Sequence, residues 1–259
     1  METCKTAVLL SAGMARRLYP LTSEEPKNLI KIYKDKCILD FQLKALELSG
    51  EIEDVYIIVG FQHKKIKDYI SERSYKFQVH FIFNPFFEVS NNIVSVWMAM
   101  KEIPGPFITI NGDDVFSENI IRKLAKENEE ILLSISKSSS HYDDDDMKVI
   151  LSKDGIYLEE IGKHIDVDKT VAESIGIIKF SKDGKKDFLE SYHRLIEEDY
   201  SNIGSFYLSV IQTMIYEGKK VKVKTFGENE WREFDFLEDI ELFSRDFKDS
   251  KLEGQVFMP

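Results

Sequence analysis

TAVLLSAGMARRLYPLTSEEPK, residues 6–27, is the stretch on which the fold turns. Its opening run, Thr6 to Leu10, is aliphatic and β-branched and stops at Ser11-Ala12-Gly13, which reads as a buried strand entering a tight loop. The loop continues to about Lys27. A small-residue turn after a first strand lets backbone N–H groups approach phosphate oxygens closely, and Arg16, Arg17 and Lys27 bring three cations into the same loop. The glycine alone is equally served by an ordinary βα turn with solvated arginines. Pro20-Leu21-Thr22 and Pro26-Lys27 favour the anion reading, because two prolines stiffen a long loop and fix where its lysine points.

Working outward, Leu39, Leu43 and Leu46 lie at i, i+4, i+7 and predict a helix over 38–48, followed by a buried strand over Asp54 to Val59. His63 to Arg73 reads as a second helix and Gln78 to Phe83 as a third strand. Ile93, Val96, Trp97 and Met100 mark a third helix, and Phe107 to Ile110 a fourth strand. Strands alternating with helices predict an α/β fold with a Rossmann-like, mostly parallel sheet flanked by helices, and ligands bound outside the carboxyl ends of the strands. Those ends are Ser11 to Lys27 and Asn111 to Asp114.

After Ile131 to Ser136 the pattern changes. Lys148 to Leu151, the turn Lys153-Asp154-Gly155 and Ile156 to Ile161 predict an antiparallel hairpin. Ser174 to Phe180 is a further strand; two helices follow with apolar faces at Phe188, Leu189, Tyr192, Leu195 and at Phe206, Val210, Met214. Val221 to Thr225 and Trp231 to Phe234 are the last strands, before a helix from about Leu237. No internal repeat and no Pro/Gly/Ser linker divides the chain. It is therefore expected to be a single domain over 1–259, with a core at about 1–136 and 221–245 and an inserted hairpin and lid at about 141–220.

With 46 acidic against 35 basic residues among 259, the formal charge is -11. A surface that negative repels a phosphate backbone and excludes a nucleic-acid polymer as partner, though not a small anion held by a few local cations. Hydrophobic residues at 43% and charged ones at 31% exclude a disordered or collagenous chain. Cys4 and Cys37 form neither a disulfide framework nor a zinc motif. The start METCKT carries Glu2 where a leader wants positive charge, and no run reaches the ~18 apolar residues of a membrane span. The expectation is a cytoplasmic protein without a membrane partner; its oligomeric state stays open, a homodimer included.

Asn111-Gly112-Asp113-Asp114 follows the fourth strand. A carboxylate there, after a glycine that leaves room, suits Mg²⁺, and suits an Asp-capped turn equally. Asp235 similarly suits the N-cap of the helix after it. Asn91 reads as the N-cap of the third helix, whose Asn92, Ser95 and Ala99 share a polar, small-residue face opposite the apolar stripe. Four adjacent acids at Asp143 to Asp146 repel one another and read as a solvated loop. His63, His80, His141, His164 and His193 show no i, i+4 pairing, so none is given a catalytic role.

The run Leu10 to Lys27 resembles the signature of the sugar-phosphate nucleotidyltransferases, L-[AS]-A-G-x-G-x-R-[LMF]-x-P-L-T followed by P-K. It matches at Leu10, Ser11, Ala12, Gly13, Arg17, Leu18, Pro20, Leu21, Thr22, Pro26 and Lys27, and departs at Ala15, where the family has a second glycine. Trp231-Arg232-Glu233-Phe234-Asp235 is similar to the family's W-x-E-[IVF]-D element. Asn91-Asn92-Ile93-Val94-Ser95, Asp146-Met147-Lys148-Val149, Gly162-Lys163 and Glu173-Ser174-Ile175-Gly176 resemble, in order, elements of its choline-phosphate and phosphonate cytidylyltransferase branch.

This resemblance implies a nucleotidyltransferase, GT-A-like fold. It implies Arg17 and Lys27 as catalytic cations, and a nucleotide site at Leu10, Ala12, Gly13, Met14, Ala15, Arg16, Asn92, Ser95 and Asp113. Lys163, Glu173 and Gly176 fall on the substrate side. The cofactor implied is Mg²⁺, held by Asp113 and Asp235, with Asp114 as a neighbour. The implied reaction is in-line attack of a phosphate or phosphonate oxygen on the α-phosphorus of CTP, with pyrophosphate leaving, and the implied acceptor is phosphocholine or 2-aminoethylphosphonate. Such an acceptor is already mostly ionised, its second pKa being about 6, so no general base is needed. For a quaternary ammonium, Tyr192, Tyr200 and Trp231 are candidate aromatic walls. The competing readings are a sugar-1-phosphate nucleotidyltransferase, a GT-A-type glycosyltransferase and, motivated by Ala15, a catalytically silent nucleotide-binding module.

Overall fold

The computed structural model describes residues 3–137 and 142–248; His141 lies outside them. Its strands are β1 (Thr6–Ser11), β2 (Lys31–Tyr33), β3 (Lys36–Cys37), β4 (Asp54–Val59), β5 (Gln78–Phe83), β6 (Phe107–Asn111), β7 (Asp114–Phe116), β8 (Ile131–Ser136), β9 (Lys148–Leu151), β10 (Leu158–Gly162), β11 (Ala172–Phe180), β12 (Lys222–Phe226) and β13 (Trp231–Glu233). Its helices are α1 (Ile38–Ser49), α2 (His63–Ser71), α3 (Asn92–Glu102), α4 (Glu118–Ala125), α5 (Lys182–Glu198), α6 (Leu208–Tyr216) and α7 (Leu237–Lys248). None of the described helices is long and apolar enough to cross a membrane.

A nine-stranded sheet runs β10-β9-β11-β6-β1-β4-β5, with β8 and β12 joined through the other side of β11. β5, β4, β1 and β6 are parallel, as are β8 and β12, while β11 opposes its neighbours. The alternation of side chains along β1 explains the layering. Ala7 and Leu9 join Leu39, Leu43 and Ile120 in one apolar layer, whereas Val8 and Leu10 join Ile93, Val96, Phe188 and Val210 in the other. Both faces of the strand are thus covered, as an unbroken aliphatic run requires. A smaller cluster of Ile32, Phe41, Val115, Phe234 and Phe243 docks α7 and holds β13 against β7.

The described part of the segment expected as hairpin and lid contributes three strands, β9, β10 and β11, to this sheet. β9 and β10 form the antiparallel hairpin, but β11 pairs with β6 along Ile177–Phe180 and with β9 at Ala172 and Glu173. Helix α4 and the short strands β2, β3 and β7 are additions to the sequence reading. The apolar pattern of Ile120, Ile121, Leu124 and Ala125 was the available signal for α4; the other three span only two or three residues each, below the length at which alternation can be recognised.

The register brings the carboxyl ends of the parallel strands level: Ser11 pairs with Val59, and Leu10 with Asn111. At Gly112 the chain passes so close to β1 that a Cβ would lie 2.2 Å from the Leu10 carbonyl oxygen. Gly112→Ala is expected to lower stability by about 1–3 kcal/mol through this backbone clash; an unchanged melting temperature would show that the two strand ends can separate freely.

Candidate active site

The level strand ends form the floor of a cleft bordered by Asp145 to Met147 and Lys163, which flank the open end of the β9–β10 hairpin, and by the start of α6. Lys27 stands at its centre. Its Nζ donates to Asp113 Oδ2 at 2.8 Å and Asp235 Oδ1 at 2.7 Å, and its side chain is only 11% exposed. Burial alone would favour the neutral amine, but Asp113 and Asp235 outweigh it and raise the Lys27 pKa. Arg17 adds a second cation, with Nη2 at 2.6 Å from Asp235 Oδ2, Nη1 donating to Asp145, and its guanidinium over the Phe236 ring.

The loop carrying these cations has a defined shape. Ala15 adopts the left-handed conformation, φ 44° and ψ 56°. The glycine-type backbone is retained with an alanine in it, at a conformational cost of about 1 kcal/mol. Thr22 Oγ1 and Leu18 N both donate to the Ala15 carbonyl, at 2.9 and 3.1 Å, and hold that geometry. Behind Lys27, buried Asn28 donates from Nδ2 to both Ser11 Oγ and the Gly112 carbonyl, each at 2.9 Å. Gln42 Nε2 donates to the carbonyls of Asn111 and Asp114 at 3.0 and 2.8 Å. Two buried amides therefore fix the backbone on either side of Asp113.

The floor is strongly acidic. Carboxylate oxygens of Asp113, Asp114 and Glu233 lie within 4.8 Å of one another. Asp114 is buried, and its Oδ2 has no hydrogen-bond partner. Burial, reinforced by Asp113 and Glu233, raises its pKa well above the usual carboxylate range. Solvent reaches Glu233 along the cleft, yet desolvation by the enclosing protein, with Asp113 and Asp235, pushes its carboxyl up to about 8. Hard oxygen donors, an orphaned buried oxygen and crowded like charges fit a divalent cation such as Mg²⁺. The expected pair, Asp113 and Asp235, meets on the Lys27 ammonium, and Asp114 and Glu233 extend the donor set.

The other residues singled out in the sequence fall as follows. Leu10, Ala12, Gly13, Ala15, Asn92, Ser95, Lys163, Glu173 and Gly176 all line the cleft. Met14 and Arg16 do not, and Arg16 points to solvent. Asn92 Oδ1 accepts from Tyr207 N at 2.9 Å and so also anchors the start of α6. The Ser95 and Ala99 face of α3, expected to point away from the core, is buried, because α3 packs on the sheet at β1 and the segment after β5 meets Ser95: Ser95 Oγ accepts from Asn84 Nδ2 at 3.0 Å. Of the candidate aromatic walls, only Trp231 lines the cleft. Tyr192 stacks on Trp97 in the helical layer with ring centroids 5.9 Å apart, and Tyr200 is 80% exposed. Phe87, Phe206 and Tyr207 supply apolar wall instead.

Sequence reading also missed three polar members. Glu233 was legible: Trp231 and Glu233 stand two apart on the expected strand, which turns their side chains to one side. Asn28 and Asp145 carried no signal, since what defines them is contact with residues distant in the chain. Asp145, in the run expected to be a solvated loop, is exposed but bridges Arg17 and Lys163.

At the cleft margin, Glu173 is pushed up to about 7, first by desolvation and then by Asp146, Asp143 and Glu228. Its folded-state pKa lies above the unfolded value, so its contribution to stability is present at low pH and is lost as pH rises through about 7. Glu173→Gln is therefore expected to match the wild-type melting temperature near pH 4.5 and to exceed it at pH 8, about one unit above that folded-state value. A difference that is constant across this range would contradict the assigned charge crowding.

Comparison with known proteins gives a consistent picture. The family model described as "Nucleotidyl transferase" matches residues 6–186. A CTP:phosphoglutamine cytidylyltransferase of Campylobacter jejuni is 27% identical over 254 residues, covering 91% of this chain and 98% of that protein. A choline-phosphate cytidylyltransferase of Streptococcus pneumoniae is 31% identical over 116 residues, 45% of this chain and 48% of that one. The solved inositol-1-phosphate CTP transferase of T. maritima superposes with a TM-score of 0.76 at 22% identity, over 99% of each chain, and shares the fold.

Proposed function

The chain belongs to the nucleotidyl transferase family, and from that premise we propose that it moves CMP from CTP onto a small acceptor bearing a phosphate or phosphonate, releasing pyrophosphate in a Mg²⁺-dependent reaction. The observation that carries this reading is the convergence, in one cleft, of Arg17, Lys27 and Lys163 with the acidic floor of Asp113, Asp114, Glu233 and Asp235. Cations for a polyphosphate stand directly beside carboxylates for a divalent ion. The cytidylyltransferase relatives favour CTP, and their names, which include phosphoglutamine and choline-phosphate, favour a small phosphorylated acceptor.

Asp113 and Asp235, with Asp114 and Glu233 adjoining, would hold Mg²⁺, which when bound neutralises charge on the polyphosphate oxygens. Lys27 and Arg17 then stabilise the negative charge that accumulates on the departing pyrophosphate. Turning to the phosphates releases both cations from Asp235, so the carboxylate and the cations become available for different partners in the same movement. The Gly13–Ala15 turn offers backbone N–H groups to the phosphates, and the left-handed Ala15 keeps that turn in the form a glycine would give it. This argues against the silent module. Lys163, which shares the Asp145 carboxylate with Arg17, serves the acceptor's phosphoryl oxygens. An acceptor already ionised near neutral pH needs no base, and its oxygen attacks the α-phosphorus directly.

The test is a pyrophosphate-release panel crossing CTP, UTP, ATP and GTP with phosphocholine, 2-aminoethylphosphonate, glutamine phosphate and glucose 1-phosphate. Release with CTP and a non-sugar acceptor is expected; release only with glucose 1-phosphate would place the chain among the sugar-phosphate enzymes. Lys27→Ala and Asp113→Ala are each expected to lower kcat by about 10²- to 10³-fold while the folded circular dichroism spectrum is kept. A near-normal kcat in either variant would remove the assignment.

A further inference from the structure

The run Asp143 to Asp146 is not a plain solvated loop. Asp146 Oδ2 accepts from Asp143 N at 2.7 Å, closing the turn. Lys148, 1% exposed, donates from Nζ to the carbonyls of Asp143 at 3.0 Å and Asp144 at 2.9 Å. A buried ammonium spent on two loop carbonyls is a construction, since leaving it unpaired would be costly. This turn directs one carboxylate, that of Asp145, into the cleft. Its Oδ2 accepts from Arg17 Nη1, and its Oδ1 accepts from Lys163 Nζ at 2.5 Å.

We infer that Asp145 is a specificity-determining residue: its carboxylate occupies the seat between Arg17 and Lys163 that a phosphoryl group of substrate takes, and so admits only anions that out-compete it. The inference rests on the reading of Arg17 and Lys163 as phosphate-binding cations. Two oxygens of one anionic group span the two cations, as two oxygens of a phosphate do. The pairing is displaceable, because the Arg17 and Asp145 side chains are 44% and 49% exposed and water screens their attraction. A monoanion offers the cations nothing that the tethered carboxylate does not already supply. Polyphosphate or a dianionic phosphoryl group brings more charge and more oxygens, and it displaces Asp145 by rotating that side chain alone, with the turn staying on Lys148.

The test is calorimetric binding of inorganic pyrophosphate with Mg²⁺ to the full chain, in wild type, Asp145→Asn and Asp145→Ser, with acetate as the monoanionic competitor. Both substitutions lie at an exposed position, and two chemically different replacements guard against a folding artefact in either one. Pyrophosphate is expected to bind about three- to tenfold more tightly to both variants. Acetate is expected to compete with it in the variants and not in the wild type. Unchanged or weaker pyrophosphate binding in the variants would overturn the inference and make Asp145 a strut for Arg17 and Lys163. Nucleotidyl transfer by the wild type together with that result overturns this inference alone; tighter binding in the variants of a chain that transfers nothing overturns the functional reading alone.

Discussion

Everything in the cleft is arranged around one ammonium group, that of Lys27, held between Asp113 and Asp235. The two carboxylates come from positions 86 and 208 residues further along the chain, so this single charge ties the loop after β1 to the ends of β6 and β13. Such a contact stabilises only if the cost of desolvating the groups is returned by close, well-directed pairing. Distances of 2.7 and 2.8 Å meet that condition. Lys27 and Arg17 nevertheless face four carboxylates, those of Asp113, Asp114, Glu233 and Asp235. Burial first, and the neighbouring carboxylates after it, raise the pKa values of Asp114 and Glu233. The floor is polarised to accept further positive charge, and the cations are poised to accept negative charge.

Neutral contacts make that arrangement possible. Asn28 and Gln42 spend buried amide donors on backbone carbonyls around Gly112 and Asp113. Gly176, at φ 68°, leaves the space in which a Cβ would stand 2.3 Å from both Asn111 Nδ2 and Asp114 Oδ2. On the other side, Ala15 holds a left-handed turn that Thr22 secures. The charged residues perform the proposed chemistry, while these residues set the distances at which they meet.

The fold was largely legible because the signals that define it are local. The aliphatic run of β1 and the i, i+4, i+7 stripe of α1 are both read within a dozen residues, whereas the register of the parallel strands comes only with the structure. Arg17, Lys27, Asp113 and Asp235 could be named because each sits in a short run with a recognisable order, Pro26-Lys27 or Gly112-Asp113 for example. Asp145 and Asn28 could not, since four acids in a row look like solvated polarity and one asparagine looks like any other. The buried face of α3 escapes the sequence for a related reason: helical periodicity shows which residues share a side, but only the meeting with Asn84, after β5, decides that Ser95 faces protein. Likewise Tyr192 was available by composition, and its stacking on Trp97 took it out of the cleft.

Lys27 is the counter-cation of the acidic floor and, in the proposed reaction, a ligand for nucleotide phosphates. The most direct measurement is a pair of titrations of Lys27→Met, one with Mn²⁺ as a probe of the carboxylates and one with CTP in Mg²⁺. Mn²⁺ is expected to bind more tightly than to the wild type, since a competing cation has gone, and CTP at least about tenfold more weakly, the equivalent of about 1.4 kcal/mol. CTP binding equal to that of the wild type would contradict that role.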